Sequence, residues 1–183
     1  MAARHDIVMG GFGGQGVKTI ATLLGQAANR AGLHALMYNV YGAAIRGGAI
    51  YCYTAISDQP LVGAPVTTFP SAVLAMDQRS YATFEPVVQP GGTLIVNTSL
   101  VTGRSGRNDI RVVYVPSSEI ADELGSFQLC GMVALGALVF ATGIVSGEVI
   151  LGCLETTLPA TKHHLLEGNR RALARGAALC SAA

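Results

Sequence analysis

Residues 10–16 read Gly-Gly-Phe-Gly-Gly-Gln-Gly, directly after the apolar run Ile7-Val8-Met9 and directly before a helical pattern that opens at Val17. Five glycines in seven positions constrain the chain strongly. A strand that turns into a helix through such a segment leaves several backbone N–H groups pointing outward at the positive end of a helix dipole. That arrangement is a socket for an anion, or a seat for another chain packed very close.

The spacing Gly11-x-Gly13-x-x-Gly16 matches the dinucleotide fingerprint, in which the glycines allow a tight turn, a pyrophosphate and close helix–strand packing. That site also needs an acidic residue about 20 positions further on to hold ribose hydroxyls. No Asp or Glu occurs between Asp6 and Asp58, and the second strand pattern ends in Asn39-Val40-Tyr41 instead. An ordinary nicotinamide or flavin site is therefore disfavoured, and with it a free dehydrogenase. A second glycine-bearing loop, Tyr41 to Gly48, has Arg46 as its only charge. The Arg46 guanidinium suits a phosphate or carboxylate, or it bonds local carbonyls, and Gly47 and Gly48 keep Cβ atoms out of the way.

Hydrophobic patterning predicts an α/β fold: a three-layer, Rossmann-like open sheet with helices on both faces. Strands are expected at Asp6–Met9, Ala35–Val40, Ala49–Ile56, Ala72–Met76, Thr93–Asn97 and Arg111–Val115, each apolar enough to be buried. Helices are expected at Val17–Ala31, ended by Gly32, and at Gln78–Phe84, Glu119–Leu124, Gln128–Thr142, Glu148–Thr157 and Ala160–Leu179. Asp77, Ser118 and Ser146 are candidate N-caps. Parallel strands need a crossover of about a dozen residues or more, whereas the second and third strands are joined by a loop without a helix. The third strand is thus expected to pair antiparallel with a neighbour or to lie at an edge, in a mostly parallel sheet with at least one antiparallel strand. Residues 1–183 read as one domain, with the proline-rich Asp58–Pro70 as a surface connection.

Charged residues make up 13% of the 183, below the roughly 25% typical of soluble domains, and the chain is 50% hydrophobic. An apolar surface follows, and with it a substantial interface with other subunits. The net charge of +1 leaves no electrostatic footprint for nucleic acid. From Leu124 to Gly147 there is no charged residue, yet Gly131, Gly136, Gly143 and the acidic flanks favour a buried helix over a membrane span. Cys52, Cys130, Cys153 and Cys180 lack Cys-x-x-Cys spacing, which argues against an iron–sulfur cluster in this chain. The four histidines show no metal spacing, and no signal peptide precedes Arg4-His5-Asp6, so a cytoplasmic location with reduced thiols is expected. His164, Arg171 and Arg175 are expected to share one face of the last helix. Asp77 and Glu119 are the candidate acid–base groups, although capping and helix-dipole roles explain both.

The motifs Gly11-Phe-Gly-Gly-Gln-Gly-Val17 and Tyr41-Gly-x-x-x-Arg-Gly-Gly48, with Phe84-Glu85-Pro86, Pro90-Gly91-Gly92, Leu94–Leu100, Val115-Pro116 and Met132–Ala137, resemble in order the gamma subunit of the 2-oxoacid:ferredoxin oxidoreductases. The resemblance spans nearly the whole chain. Ala43 and Ala44 stand where the family loop usually has Pro and Glu, and Gly131 stands where Asn is common. The resemblance implies a heteromeric, coenzyme A-dependent complex that oxidatively decarboxylates a 2-oxoacid to an acyl-CoA and reduces ferredoxin. Alpha and beta subunits, with delta as a further partner, would hold the thiamine diphosphate and the iron–sulfur clusters. This chain would carry neither, would serve assembly and coenzyme A access, and would meet ferredoxin only indirectly. Gly11, Gly13, Gly14, Gln15, Gly16, Arg46, Gly47 and Asn97 are expected to line whatever pocket or interface it presents, with coenzyme A at the glycine loop. The alternative is an autonomous nucleotide- or coenzyme A-binding module without catalysis.

Overall fold

The computed structural model of the chain describes residues 4–42 and 48–180. The sheet has six strands: β1 (Arg4–Phe12), β2 (His34–Tyr41), β3 (Ala49–Ser57), β4 (Ala72–Ala75), β5 (Thr93–Asn97) and β6 (Arg111–Val115). Their spatial order is β2-β3-β1-β4-β5-β6. As the short β2–β3 connection predicts, β3 runs antiparallel to both neighbours. The pairs β1–β4, β4–β5 and β5–β6 are parallel.

Six helices connect or flank the strands: α1 (Val17–Arg30), α2 (Gln78–Phe84), α3 (Ser117–Glu123), α4 (Cys130–Thr142), α5 (Gly147–Thr157) and α6 (Leu166–Cys180). In α1, Val17, Ile20, Ala21, Leu24 and Ala28 make one buried stripe. The helix stops where Gly32 takes φ 82°, with Leu33 N–H donating to Ala28 and Gly32 N–H to Asn29, a Schellman ending. Asp77 and Ser146 cap α2 and α5 by accepting from Ser80 and Val149 N–H. Ser118 is not a cap: α3 begins at Ser117 after Pro116, and the Ser118 hydroxyl is bonded elsewhere.

One sheet face carries most of the core. On that side α1 packs on β1, β2 and β3, while α4 packs on β4, β5 and β6 and against α6. All of α4 from Cys130 to Val139 is buried, so the uncharged stretch is an internal helix. Among the described residues no helix is long and apolar enough to cross a membrane. The α4–α6 contact is made at backbone distance: a Cβ on Gly136 would strike the Leu173 carbonyl, and one on Gly176 the Val133 carbonyl. Arg111 ties both helix ends to the sheet by donating to the carbonyls of Ala141 and Cys180, each at 3.2 Å.

The other face is covered less. There α2 packs on β1 and β4, and Phe84 meets Tyr51 edge-on at 5.0 Å and Tyr53 at 6.3 Å. Helices thus lie on both faces, in unequal numbers. Two expectations change. Strand β2 is not buried, because it is the sheet's edge and only one of its faces meets a helix. The helices expected at Gln128–Thr142 and Ala160–Leu179 each open with a 3-10 turn instead, Phe127–Leu129 and Ala160–Leu165. The second of these has no buried residue to hold an α-helical face, so Lys162, His163 and His164 stand exposed on it rather than on α6.

Candidate functional site

Only part of the glycine segment is a loop. Gly10 and Gly11 belong to β1 and pair with Tyr51 and Ile50 of β3, so the ladder rather than an open socket occupies this stretch. The missing Cβ of Gly11 makes room for Gln15, whose side-chain oxygen a Cβ would strike. The turn itself is made at Gly14 and Gly16, with φ 107° and 78°, conformations that favour glycine. Gly16 is the N-cap of α1 and offers no side-chain cap. Among the described residues no acceptor meets the N–H groups of Val17, Lys18 and Thr19, which also lack intrahelical partners.

Gln15 and Asn97, expected to line a pocket, are instead 0% and 1% exposed. The Gln15 amide donates to the Met76 carbonyl and its oxygen accepts from Phe12 N–H, both at 2.9 Å. Asn97 donates to the same Met76 carbonyl and to Ser118 Oγ, each at 3.2 Å. Its oxygen accepts from Ser117 and Ser99 N–H at 3.1 and 3.3 Å. Its amide is thereby fully used. The network reaches α4, where Cys130 Sγ lies 3.5 Å from the hydroxyls of Ser117 and Ser118.

This network sits where open α/β sheets usually hold a ligand. β1 leads through α1 to β2 on one side and β4 leads through α2 to β5 on the other, so the topological switch lies between β1 and β4. In this chain the Gln15 carboxamide bonds to Met76 at the carboxyl end of that crevice, where a cleft of about 350 Å³ lined by Phe12, Ala49, Asp77, Gln78, Arg79 and Leu100 remains. Asn39, at the position of a ribose-binding acid, has its side-chain oxygen buried without a partner among the described residues. Neither feature suits a dinucleotide in its usual place.

The larger cleft lies on the other side of the turn. It has a volume of about 690 Å³ and is lined by Phe12, Gly14, Gly16, Lys18 and Thr19, by Gln128, Leu129 and Gly131 at the entry to α4, and by Lys162, His164 and Asn169. Gly131 lets α4 come close to the turn, since a Cβ there would stand 2.9 Å from the Gln15 carbonyl. Three cleft features were not legible in the sequence: Lys18, Lys162 and the 3-10 segment that carries Lys162. Arg46 and Gly47, with Ala43 and Ala44, lie outside the described residues. Gly48 accepts a bond from Gly13 N–H at 3.4 Å.

The acid–base candidates carry bland roles. Asp77 caps α2, and Ser99 Oγ accepts from Glu119 N–H at 3.2 Å. Arg175 pairs with Glu123 at 2.8 Å. Among the described residues no three His, Cys, Asp or Glu side chains come together as a metal site. All four cysteines are free and buried, and burial pushes the Cys52 thiol up to about 11.

Comparisons with known proteins agree with this geometry across the chain. The family model for pyruvate ferredoxin/flavodoxin oxidoreductase matches residues 6–179. The 2-oxoglutarate synthase subunit KorC of Methanothermobacter marburgensis is 32% identical over 163 residues, covering 85% of this chain and 87% of KorC. The ketoisovalerate oxidoreductase subunit VorA of Methanothermobacter thermautotrophicus is 32% identical over 93% of this chain, which spans only 35% of VorA. In structure, the keto/oxoacid ferredoxin oxidoreductase gamma subunit of Geobacter sulfurreducens superposes with a TM-score of 0.85 at 30% identity, covering 100% of this chain and 99% of that one. With the family model matched over residues 6–179 and the fold matched over the whole chain, this chain belongs to the pyruvate ferredoxin/flavodoxin oxidoreductase family.

Proposed function

We propose that this chain is the gamma-type subunit of a heteromeric 2-oxoacid:ferredoxin oxidoreductase and that it receives the phosphate-bearing part of coenzyme A at the mouth of α1. In such a complex the 2-oxoacid carboxylate leaves as carbon dioxide, the acyl carbon bonds to the coenzyme A sulfur, and the released electrons pass to ferredoxin. Thiamine diphosphate and the iron–sulfur clusters belong to the partner subunits. So does the choice of 2-oxoacid.

The observation that carries the reading is the cleft of about 690 Å³ beside the glycine turn, larger than the cleft of about 350 Å³ at the switch crevice. The larger cleft combines the uncapped N-terminus of α1 with Lys18 on its first turn and Lys162 across the gap. Backbone N–H groups and two ammonium groups suit phosphates, while Leu129 and Phe12 supply an apolar wall. Gln15 and Asn97 act as positioning residues that hold the turn to β4 and β5. Arg46 and Gly47, immediately before Gly48 in the chain, are proposed to serve the same mouth.

Steady-state kinetics of the assembled complex test this assignment. Lys18→Glu and Lys162→Glu together are expected to raise KM for coenzyme A about tenfold while leaving KM for the 2-oxoacid unchanged. An unchanged KM for coenzyme A would leave the turn as a packing seat only. Failure of the wild-type chain to co-purify with a thiamine-dependent partner would remove the subunit assignment itself.

A further inference from the structure

The least protected part of the molecule is β2. Its outer edge pairs with nothing among the described residues, and its register with β3 runs from His34↔Ser57 to Tyr41↔Ile50 without a bulge. Natural edge strands are guarded by charge, proline or bulges, or are kept short. His34-Ala-Leu-Met-Tyr-Asn-Val-Tyr41 has no Lys, Arg, Asp, Glu or Pro and is eight residues long.

Its side chains compound the exposure. Alternation places Leu36, Tyr38 and Val40 opposite Ala55, Tyr53 and Tyr51 of β3. These residues share the sheet face that carries α2, whose Phe84 reaches Tyr51 and Tyr53 of β3 while Tyr38 and Val40 of β2 stay exposed. Tyr38 is 52% exposed and Val40 39%. Burial raises the Tyr53 phenol above its ordinary range, in keeping with its place beneath Phe84. A contiguous apolar face beside an unguarded edge marks an interaction surface.

VorA indicates what covers it. This chain matches about a third of VorA, so in that protein the same unit is covalently joined to a polypeptide roughly twice its size. We propose that the face formed by Leu36, Tyr38, Val40, Tyr51 and Tyr53, together with the β2 edge, docks the separate subunit homologous to the remainder of VorA. The inference rests on the gamma-subunit reading and specifies its main contact.

Co-expression of the full chain with its partner subunits, followed by affinity capture and size-exclusion chromatography, tests it. The double variant Tyr38→Glu/Val40→Glu is expected to weaken partner retention by on the order of tenfold or more, because two carboxylates would be buried unpaired. Phe140→Glu, on exposed apolar surface of α4, is expected to retain the partner. Retention of the partner by the double variant overturns the proposal. Failure of the wild-type chain to capture any partner instead overturns the subunit reading beneath it. Should the double variant misfold, hydrogen exchange on the wild-type chain decides: amides of residues 34–41 must gain protection in the complex. Protection elsewhere, or protection of β2 by a second copy of this chain, overturns the assignment.

Discussion

The two faces of the sheet are built from similar strands and covered very differently. On one, α1, α5, α6 and the sheet bury α4 from Cys130 to Val139, and Gly136 and Gly176 bring α4 and α6 to backbone contact. On the other, the seven-residue α2 covers the middle of the sheet, and the β2–β3 end presents tyrosines. The difference separates stability from association. The crowded face fixes the fold, and the sparse face keeps apolar surface in reserve for another chain.

That contrast can be broken by mutation. Gly176→Ala drives a methyl group into the Val133 carbonyl, so chemical denaturation should show a loss of about 3 kcal/mol or more. A loss below about 1 kcal/mol would mean that α4 and α6 slide apart easily. Asn97→Ala strips an acceptor from the Ser117 N–H and a donor from the Met76 carbonyl, and should cost about 1–3 kcal/mol. Gln15→Ala should resemble it, since both amides bond to the same Met76 carbonyl.

The neighbours Cys52 and Tyr53 sharpen the comparison because they lie on opposite faces of β3. The folded chain holds the Cys52 proton up to about pH 11, above the ordinary thiol value near 8.5. Stability from this group is therefore complete below about pH 8.5 and is lost as pH rises from there through the folded value. Cys52→Ala should flatten that alkaline loss in pH-dependent denaturation, and a thiol reagent should fail to label native Cys52 at neutral pH. The smallest effect is expected on the sparse face, where Tyr38→Ser should change the stability of the chain by no more than about 0.5 kcal/mol. A larger loss would show that the tyrosine face belongs to the core.

Much of the architecture was legible because periodicity and punctuation are local. β5, β6 and α2 have the boundaries that their apolar runs and turn residues imply. The antiparallel β3 followed from the length of one loop. The site was less legible. Gln15 and Asn97 were expected to line a pocket, yet both side chains are buried and bond to a carbonyl 61 and 21 residues away respectively. The glycine motif suggested a socket along its whole length, but half of it is strand, and the cleft wall comes from segments more than a hundred residues downstream.

What the amino-acid sequence determined by itself is the alternation of strand and helix, the stop at Gly32, the antiparallel turn back into β3 and the need for glycine in the turn before α1. These rest on short-range sterics and on hydrophobic period. Tertiary structure alone decided that Gln15 bonds across to Met76, that α4 lies buried between sheet and α6, and that β2 is left at an open edge. Each of those depends on which distant backbone groups arrive together, and burial then turns their hydrogen bonds and contacts from optional into obligatory.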